Sequence, residues 1–264
     1  MKKWFFIAVI LFAYGCSRVP VTGRKQMAWV PSGQLMQMSY QNYGQVLKET
    51  PLSTNAAQTQ MVKNVGERIK NAVIEYMISI GRADEIKDYE WEFNLLAQDV
   101  VNAWAMPGGK VAFYEGIMPV CRDETGVAIV MGHEIAHAIA EHGNERMTHG
   151  LIQQGLGTAL SVAMQNEPET TQQLALMAFG VGSTVFGILP YSRLHESEAD
   201  HLGLIFMAMA GYDPREAPEF WKRMAALNAG SKPPEFLSTH PSDETRIANL
   251  NKWMPEALKY YKKE

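Results

Sequence analysis

With 264 residues, 47% of them hydrophobic and 20% charged, the chain is long enough to bury a sizeable core as one large domain or two small ones. Its formal net charge of -4, or -6 once Lys2 and Lys3 leave with a leader, carries no basic excess, which excludes nucleic acid as a partner. Only two cysteines are present, Cys16 and Cys121, and if Cys16 carries a lipid then one thiol remains and no intrachain disulfide can form.

In chain order, the first sixteen residues read as an export leader: Lys2 and Lys3, the apolar run Trp4 to Tyr14, then Gly15 and Cys16. The run is too short to span a bilayer, which takes about 20 residues in helical form. Ala13-Tyr14-Gly15-Cys16 resembles a bacterial lipobox, although Tyr14 stands where a small residue is usual; a simple cleaved leader or an uncleaved anchor is the alternative. Lipidation of Cys16, followed by Ser17 and not Asp, implies anchoring at the outer membrane, facing the periplasm. The expected organisation is a signal peptide at 1–16, a polar tether at 17–30 with Pro20 and Gly23 opposing regular structure, and one domain at 31–264.

Helical spacing of apolar residues predicts helices from Ser32 to Tyr43 and from Ala56 to about Ile80, the second through Met61, Val65, Ile69, Val73 and Tyr76. The period then changes to two. Trp91, Phe93 and Leu95 alternate with Glu90, Glu92 and Asn94, the pattern of a half-buried strand. Val101 to Met106 and Lys110 to Tyr114 are extended runs joined through Pro107-Gly108-Gly109, which predicts a hairpin. A helix capped by Asp123 runs to about Gly143. Long uncharged stretches, Leu151 to Gln165 and Thr170 to Tyr191, suggest either a membrane-spanning pair or, as Gly180, Gly182, Gly187 and several glutamines favour, two buried or groove-lining helices. Helices at about Arg193 to Ala210 and Glu216 to Leu227, a loop at Gly230 to Pro241, and a last helix from about Ser242 complete the chain.

His133-Glu134-Ile135-Ala136-His137 matches the H-E-x-x-H zinc-protease motif. Residues four apart differ by about 40° around a helix and lie one turn apart, so both imidazoles reach one ion while Glu134 stands beside it as a base. A catalytic zinc takes a third protein ligand and keeps one position open. His142 lies about 140° around the helix from His137, and Ala140 and Gly143 break the metzincin pattern, so His142 is expected at a helix end or facing solvent. Glu196 and Asp200 are again four apart: one could bind metal while the other fixes a ligand histidine. Glu198 points elsewhere and is expected as a surface or salt-bridging charge, and His195 and His201 are expected to be bystanders. Cys121 reads as a small buried apolar residue.

Together with Ser192-Arg193-Leu194-His195-Glu196-Ser197-Glu198-Ala199-Asp200, Asn102-Ala103-Trp104-Ala105-Met106-Pro107-Gly108-Gly109 and Ser238-Thr239-His240-Pro241, this motif resembles the metallopeptidase family that includes HtpX, the CAAX prenyl proteases and the BepA-like and LoiP-like periplasmic lipoproteins. The resemblance covers about Met27 to Leu250. It implies an α+β, mainly α, zincin-type fold with a small mixed sheet whose edge strand lies beside the active-site helix. It further implies one zinc ion held by His133, His137 and Glu196, with Glu134 as general base and Asp200 supporting a ligand. His240 would assist the tetrahedral intermediate or fill the open zinc position, and Arg193 would orient Glu196 or the substrate. Asn102, Ala103, Trp104, Ala105 and Met106 would hold an extended peptide by β-augmentation. The expected activity is zinc-dependent endopeptidase cleavage of misfolded envelope proteins, with outer-membrane assembly machinery as a possible partner. The alternative is a chaperone or assembly factor that binds unfolded envelope proteins with little turnover.

Overall fold

The computed structural model describes residues 16–183, 189–227, 235–240 and 244–262. The leader at 1–15 and, of the loop expected at 230–241, residues 230–234 and 241 lie outside them; Glu235–Thr239 of that expected loop is helical. Packing divides the chain into two compact units: residues up to Pro31 with Glu141–Glu196, and Ser32–Ala140 with Ser197–Glu264.

The second unit begins with α1 (Ser32–Glu49) and α2 (Ala56–Ser79). Asn55 starts α2 by accepting a hydrogen bond from the Gln58 N–H at 3.1 Å. The buried stripe of α2, Val62, Val65, Ile69, Val73 and Met77, has the three-and-four spacing of one helix face. Burying each such side chain contributes about 1.5–3 kcal/mol. Gly66 lies on the same face, where a Cβ would come within 2.4 Å of the Phe93 ring, so its lack of a side chain lets helix and sheet approach.

The sheet has the order β3–β5–β4, with β3 (Glu92–Leu96), β4 (Ala103–Met106) and β5 (Lys110–Tyr114). β3 runs parallel to β5, and β4 is antiparallel to it with Ala103 opposite Phe113, so the sheet is mixed and the hairpin forms as expected. Positive φ at Gly108 (87°) and Gly109 (85°) makes the turn, a conformation glycine adopts without a Cβ penalty. β3 is covered on both faces, unlike the half-buried strand expected: Asn94 is buried as well as Phe93 and Leu95, because its side chain donates to the Tyr43 hydroxyl of α1 at 3.0 Å.

After the one-turn helix α3 (Met118–Cys121) comes α4 (Glu124–Ile139), capped by Asp123, which accepts from the Gly126 N–H at 3.0 Å. Every residue of α4 from Gly126 onward is buried, which makes it the central helix of its unit, and it packs beside the edge strand β4. The helix stops short of the expected Gly143, at a left-handed Glu141 with φ 55°. α7 (Leu189–Met209) carries the boundary between the units within its length and continues into the second. There it crosses α4 closely: a Cβ on Gly203 would lie 2.8 Å from the His133 backbone nitrogen, and one on Gly132 2.8 Å from the Gly203 carbonyl oxygen. That approach brings Asp200, one turn earlier on α7, to His133. The chain reverses at Gly211, with φ 83°, into α8 (Ala217–Ala226), then α9 (Glu235–Thr239) and α10 (Glu244–Tyr260).

In the first unit, residues expected as a tether form a hairpin: β1 (Cys16–Arg18) pairs antiparallel with β2 (Lys25–Met27). The hairpin is held to α5 (His142–Ala163) by side chains the polar composition of 17–30 did not reveal. Arg24 makes two hydrogen bonds to Glu145, at 2.9 and 2.7 Å, and Asn144 both accepts from the Val30 N–H and donates to its carbonyl. α5 packs on α6 (Glu169–Ser183), which has no buried residue. Of the two expectations for these helices, buried or groove-lining, burial is corrected. Leu151, Leu156, Val162, Leu174, Met177 and Val181 are all more than half exposed, because α5 and α6 meet chiefly each other within the unit. Among the described residues no helix is long and apolar enough to cross a membrane.

Candidate metal centre

The helical spacing of His133 and His137 turns both rings to one side of α4, with His137 Nε2 3.1 Å from His133 Nε2. Both are buried, at 2% and 6% exposure. His240, at the end of α9, completes the approach with Nδ1 3.2 Å from His133 Nε2. One donor atom from each of His133, His137, His240 and the α7 residue Glu196 lies within 4.8 Å of the others.

Facing imidazole lone pairs repel unless a proton or a cation lies between them. Nitrogens bound to a tetrahedral zinc at 2.0–2.1 Å are separated by about 3.3 Å, close to the spacings found. Three imidazoles and a carboxylate, with no thiolate, are the donors that zinc takes in hydrolytic sites, so the residues present fit the ion.

The second layer is ordered by charge. Asp200, itself buried, lies with Oδ1 2.9 Å from His133 Nδ1, and Arg246 Nη2 lies 3.1 Å from the same nitrogen and 3.4 Å from Nε2. The same oxygen, Oδ1, accepts from Arg246 Nη2 at 2.6 Å. Glu134 is 4% exposed, one residue from His133, with Oε1 3.5 Å from His240 Nε2. Aromatic rings wall the group: Trp221 meets His133 edge-on at 5.4 Å, and Phe236 stacks on His240 at 4.7 Å.

Of the residues picked out in sequence, His133, Glu134, His137, Glu196, Asp200 and His240 come together. Arg193 does not: it is exposed on α7, and the guanidinium that reaches the carboxylate behind His133 is that of Arg246. Sequence reading missed Arg246, Trp221 and Phe236; the available signal was a cation in the first turn of α10, six residues after His240. Asn102 flanks β4, its side chain accepting from the Ala103 N–H at 2.9 Å, and Ala103 to Met106 form the edge strand.

Several minor expectations need correction. His142 is at a helix end, but it is fully buried and stacked on His195 with ring centroids 4.3 Å apart. His195 stands outside the metal group, as expected of a bystander, but it is fully buried, with Nε2 2.7 Å from Glu145 inside the first unit. Of the two expectations for Glu198, a surface or a salt-bridging charge, the first is corrected: it is 2% exposed, on the packed inner side of α7 with Ala199 and Asp200. His201 lies off the metal group, bonded to Glu256 and stacked on Trp253. Cys121 is buried as expected, and burial pushes its thiol well above the ordinary range, so no reactive thiolate forms there.

The model of peptidase family M48 matches residues 64–254. The chain is 33% identical to the mitochondrial metalloendopeptidase OMA1 of Schizosaccharomyces pombe, over 97% of this chain and 73% of that protein. It is 29% identical to the human mitochondrial metalloendopeptidase OMA1, over 91% of this chain and 46% of the relative. The beta-barrel assembly-enhancing protease of Escherichia coli is 27% identical, over 90% of this chain and 47% of its own length.

Proposed function

The chain belongs to peptidase family M48 and is a zinc metalloendopeptidase, and from that premise we propose that His133, His137 and Glu196 hold the ion while Glu134 is the general base. The observation that carries this assignment is the convergence of the two α4 imidazoles with Glu196 and His240 around one point, beside a buried carboxylate.

When bound, zinc acidifies a water and polarises the scissile carbonyl. Glu134 would serve as the base for the attacking water and then as the acid for the leaving amine, so no covalent acyl-enzyme is needed. Asp200 fixes the tautomer of His133 by holding its Nδ1–H. His240, within reach of both His133 and Glu134, would either fill the position that the ion leaves open or donate a hydrogen bond to the developing oxyanion of the substrate. The outer edge of β4, with Asn102 at its start, pairs with an extended substrate through main-chain hydrogen bonds, which gives broad specificity for unfolded segments.

In this reading the substrates are misfolded periplasmic or outer-membrane proteins, and the chain is a lipoprotein anchored through Cys16 at the outer membrane and facing the periplasm. Two observations support it: the lipobox-like leader, and a relative named for β-barrel assembly, which makes outer-membrane assembly machinery the candidate partner. Relatives named as mitochondrial indicate that the same peptidase chemistry serves more than one compartment.

The test is metal analysis of protein purified without added zinc, set against Glu196→Ala. The parent is expected to hold one zinc per chain, and the variant to lose it together with casein cleavage. A variant that keeps a full complement of zinc would remove Glu196 from the ligand set.

A further inference from the structure

Arg246 stands in the first turn of α10, where the helix dipole disfavours a cation. It is nonetheless 5% exposed, so its tertiary partners must set its position. One is Asp200, whose Oδ1 it meets at 2.6 Å, the same oxygen that lies 2.9 Å from His133 Nδ1. Another is Trp221, whose ring centroid lies 3.2 Å from the guanidinium carbon. A third is the loop that presents His240: Arg246 Nη1 reaches the His240 carbonyl oxygen at 3.5 Å. Trp221 stacks on Phe236, which stacks on His240, so the ring that carries the cation backs the imidazole through Phe236.

We propose that Arg246 is a positioning residue that ties the metal-ligand side of the centre to the segment that presents His240. With one arm the guanidinium holds the Asp200 carboxylate on which the orientation of His133 depends. With the other, and through Trp221, it sets where His240 stands relative to His133 and Glu134. A planar fork can serve both at once, whereas the single ammonium of lysine can neutralise Asp200 without spanning to the carbonyl. The inference rests on His133 being a zinc ligand.

The experiment uses the full chain and measures zinc affinity by chelator competition, kcat and KM on casein, and melting of the zinc-free protein. Arg246→Met is expected to weaken zinc binding about 10–100-fold, the range seen when a partner of a ligand histidine is lost. Arg246→Lys is expected to restore most of that affinity and still show a lowered kcat with KM little changed. The lysine defect should shrink when each protein also carries His240→Ala, because the residue being positioned is then gone. A role in folding alone would lower melting temperature without this split. Should Arg246→Met fail to fold, the lysine comparison decides. Arg246→Lys with the parent's kcat, or a kcat loss equally large with and without His240, overturns the inference. So does an Arg246→Met protein that binds zinc as tightly as the parent. A parent that takes up no zinc overturns the metal reading and the inference with it, whereas a zinc-loaded parent matched by its variants overturns the inference alone.

Discussion

In the second unit the rings of His133, His137 and His240 meet edge-on, at 81° for both pairs involving His133, and their nitrogens converge. In the first unit His142 and His195 stack nearly flat, 14° from parallel and 4.3 Å apart. Apart from His240, which is half-buried, both clusters are buried, and both have a carboxylate beside them, Asp200 in one and Glu145 in the other. The difference lies in where the ring nitrogens point. Glu145 is answered by protein cations: Arg24 grips both its oxygens and His195 meets one of them at 2.7 Å. Asp200 likewise meets a protein cation, Arg246 at 2.6 Å, but the His133 group also turns three imidazoles and the Glu196 carboxylate toward one point. Counting histidines and acids cannot separate a structural cluster from a ligand set; the direction of the nitrogens can.

The widest separation between the two clusters is expected in turnover. Glu134→Gln should lower casein cleavage by about 10²–10⁴-fold while zinc content stays at one per chain, since the amide keeps the shape and loses the base. Glu145→Gln should leave turnover per folded molecule near the parent's, because Glu145 spends its charge on the hairpin and on His195. Rates scaled to the folded fraction check this. Equal losses in the two variants would erase the distinction.

What was legible in sequence follows the same division. His133, Glu134 and His137 could be placed because their relation is local, set by helical period within α4, and the same holds for Glu196 and Asp200 on α7. The hairpin Ala103–Tyr114 could be placed because Pro107-Gly108-Gly109 marks its turn. Arg193 satisfied the local pattern yet is exposed, while Arg246 had no local pattern and is buried, because its position is set by the crossing of distant elements around Trp221. The hairpin Cys16–Met27 escaped notice since each strand is three residues long, too short to show alternation, and its anchor is an ion pair 121 residues away in sequence. For the uncharged stretches Leu151 to Gln165 and Thr170 to Tyr191 the reason is another: absence of charge is compatible with burial, but only packing decides whether anything covers the apolar side chains.

A second separation lies in acid. Burial pushes the Glu145 carboxyl upward, but the hydrogen bonds from His195 and Arg24 and their charge outweigh it and hold the group at about 2, below its ordinary 4.5. A carboxyl depressed on folding contributes stability that is present above 4.5 and lost as pH falls through about 2; here the contribution is on the order of 3 kcal/mol. Unfolding followed by denaturant at pH 5, 4, 3 and 2 should show that loss in the parent, and Glu145→Gln should flatten the profile by about the same amount. A parent profile no steeper than the variant's would mean that the ion pair with Arg24 does not hold the first unit together.

The smallest expected effect sharpens which partners matter. His149 Nε2 lies 3.9 Å from Glu145 Oε1, and its side chain is 22% exposed, so its interaction with the carboxylate is screened by water and poorly directed. Arg24 and His195, by contrast, sit at hydrogen-bond distance with little solvent between. His149→Gln should therefore change stability by no more than about 0.5 kcal/mol and leave the acid profile of the parent in place, as is usual for surface substitutions. Denaturation midpoints at pH 7 and pH 3 measure both. A shift at pH 3 comparable to that of Glu145→Gln would mean that the low carboxyl value depends on a third cation, and that the cluster is a shared charge site in which three bases answer one acid.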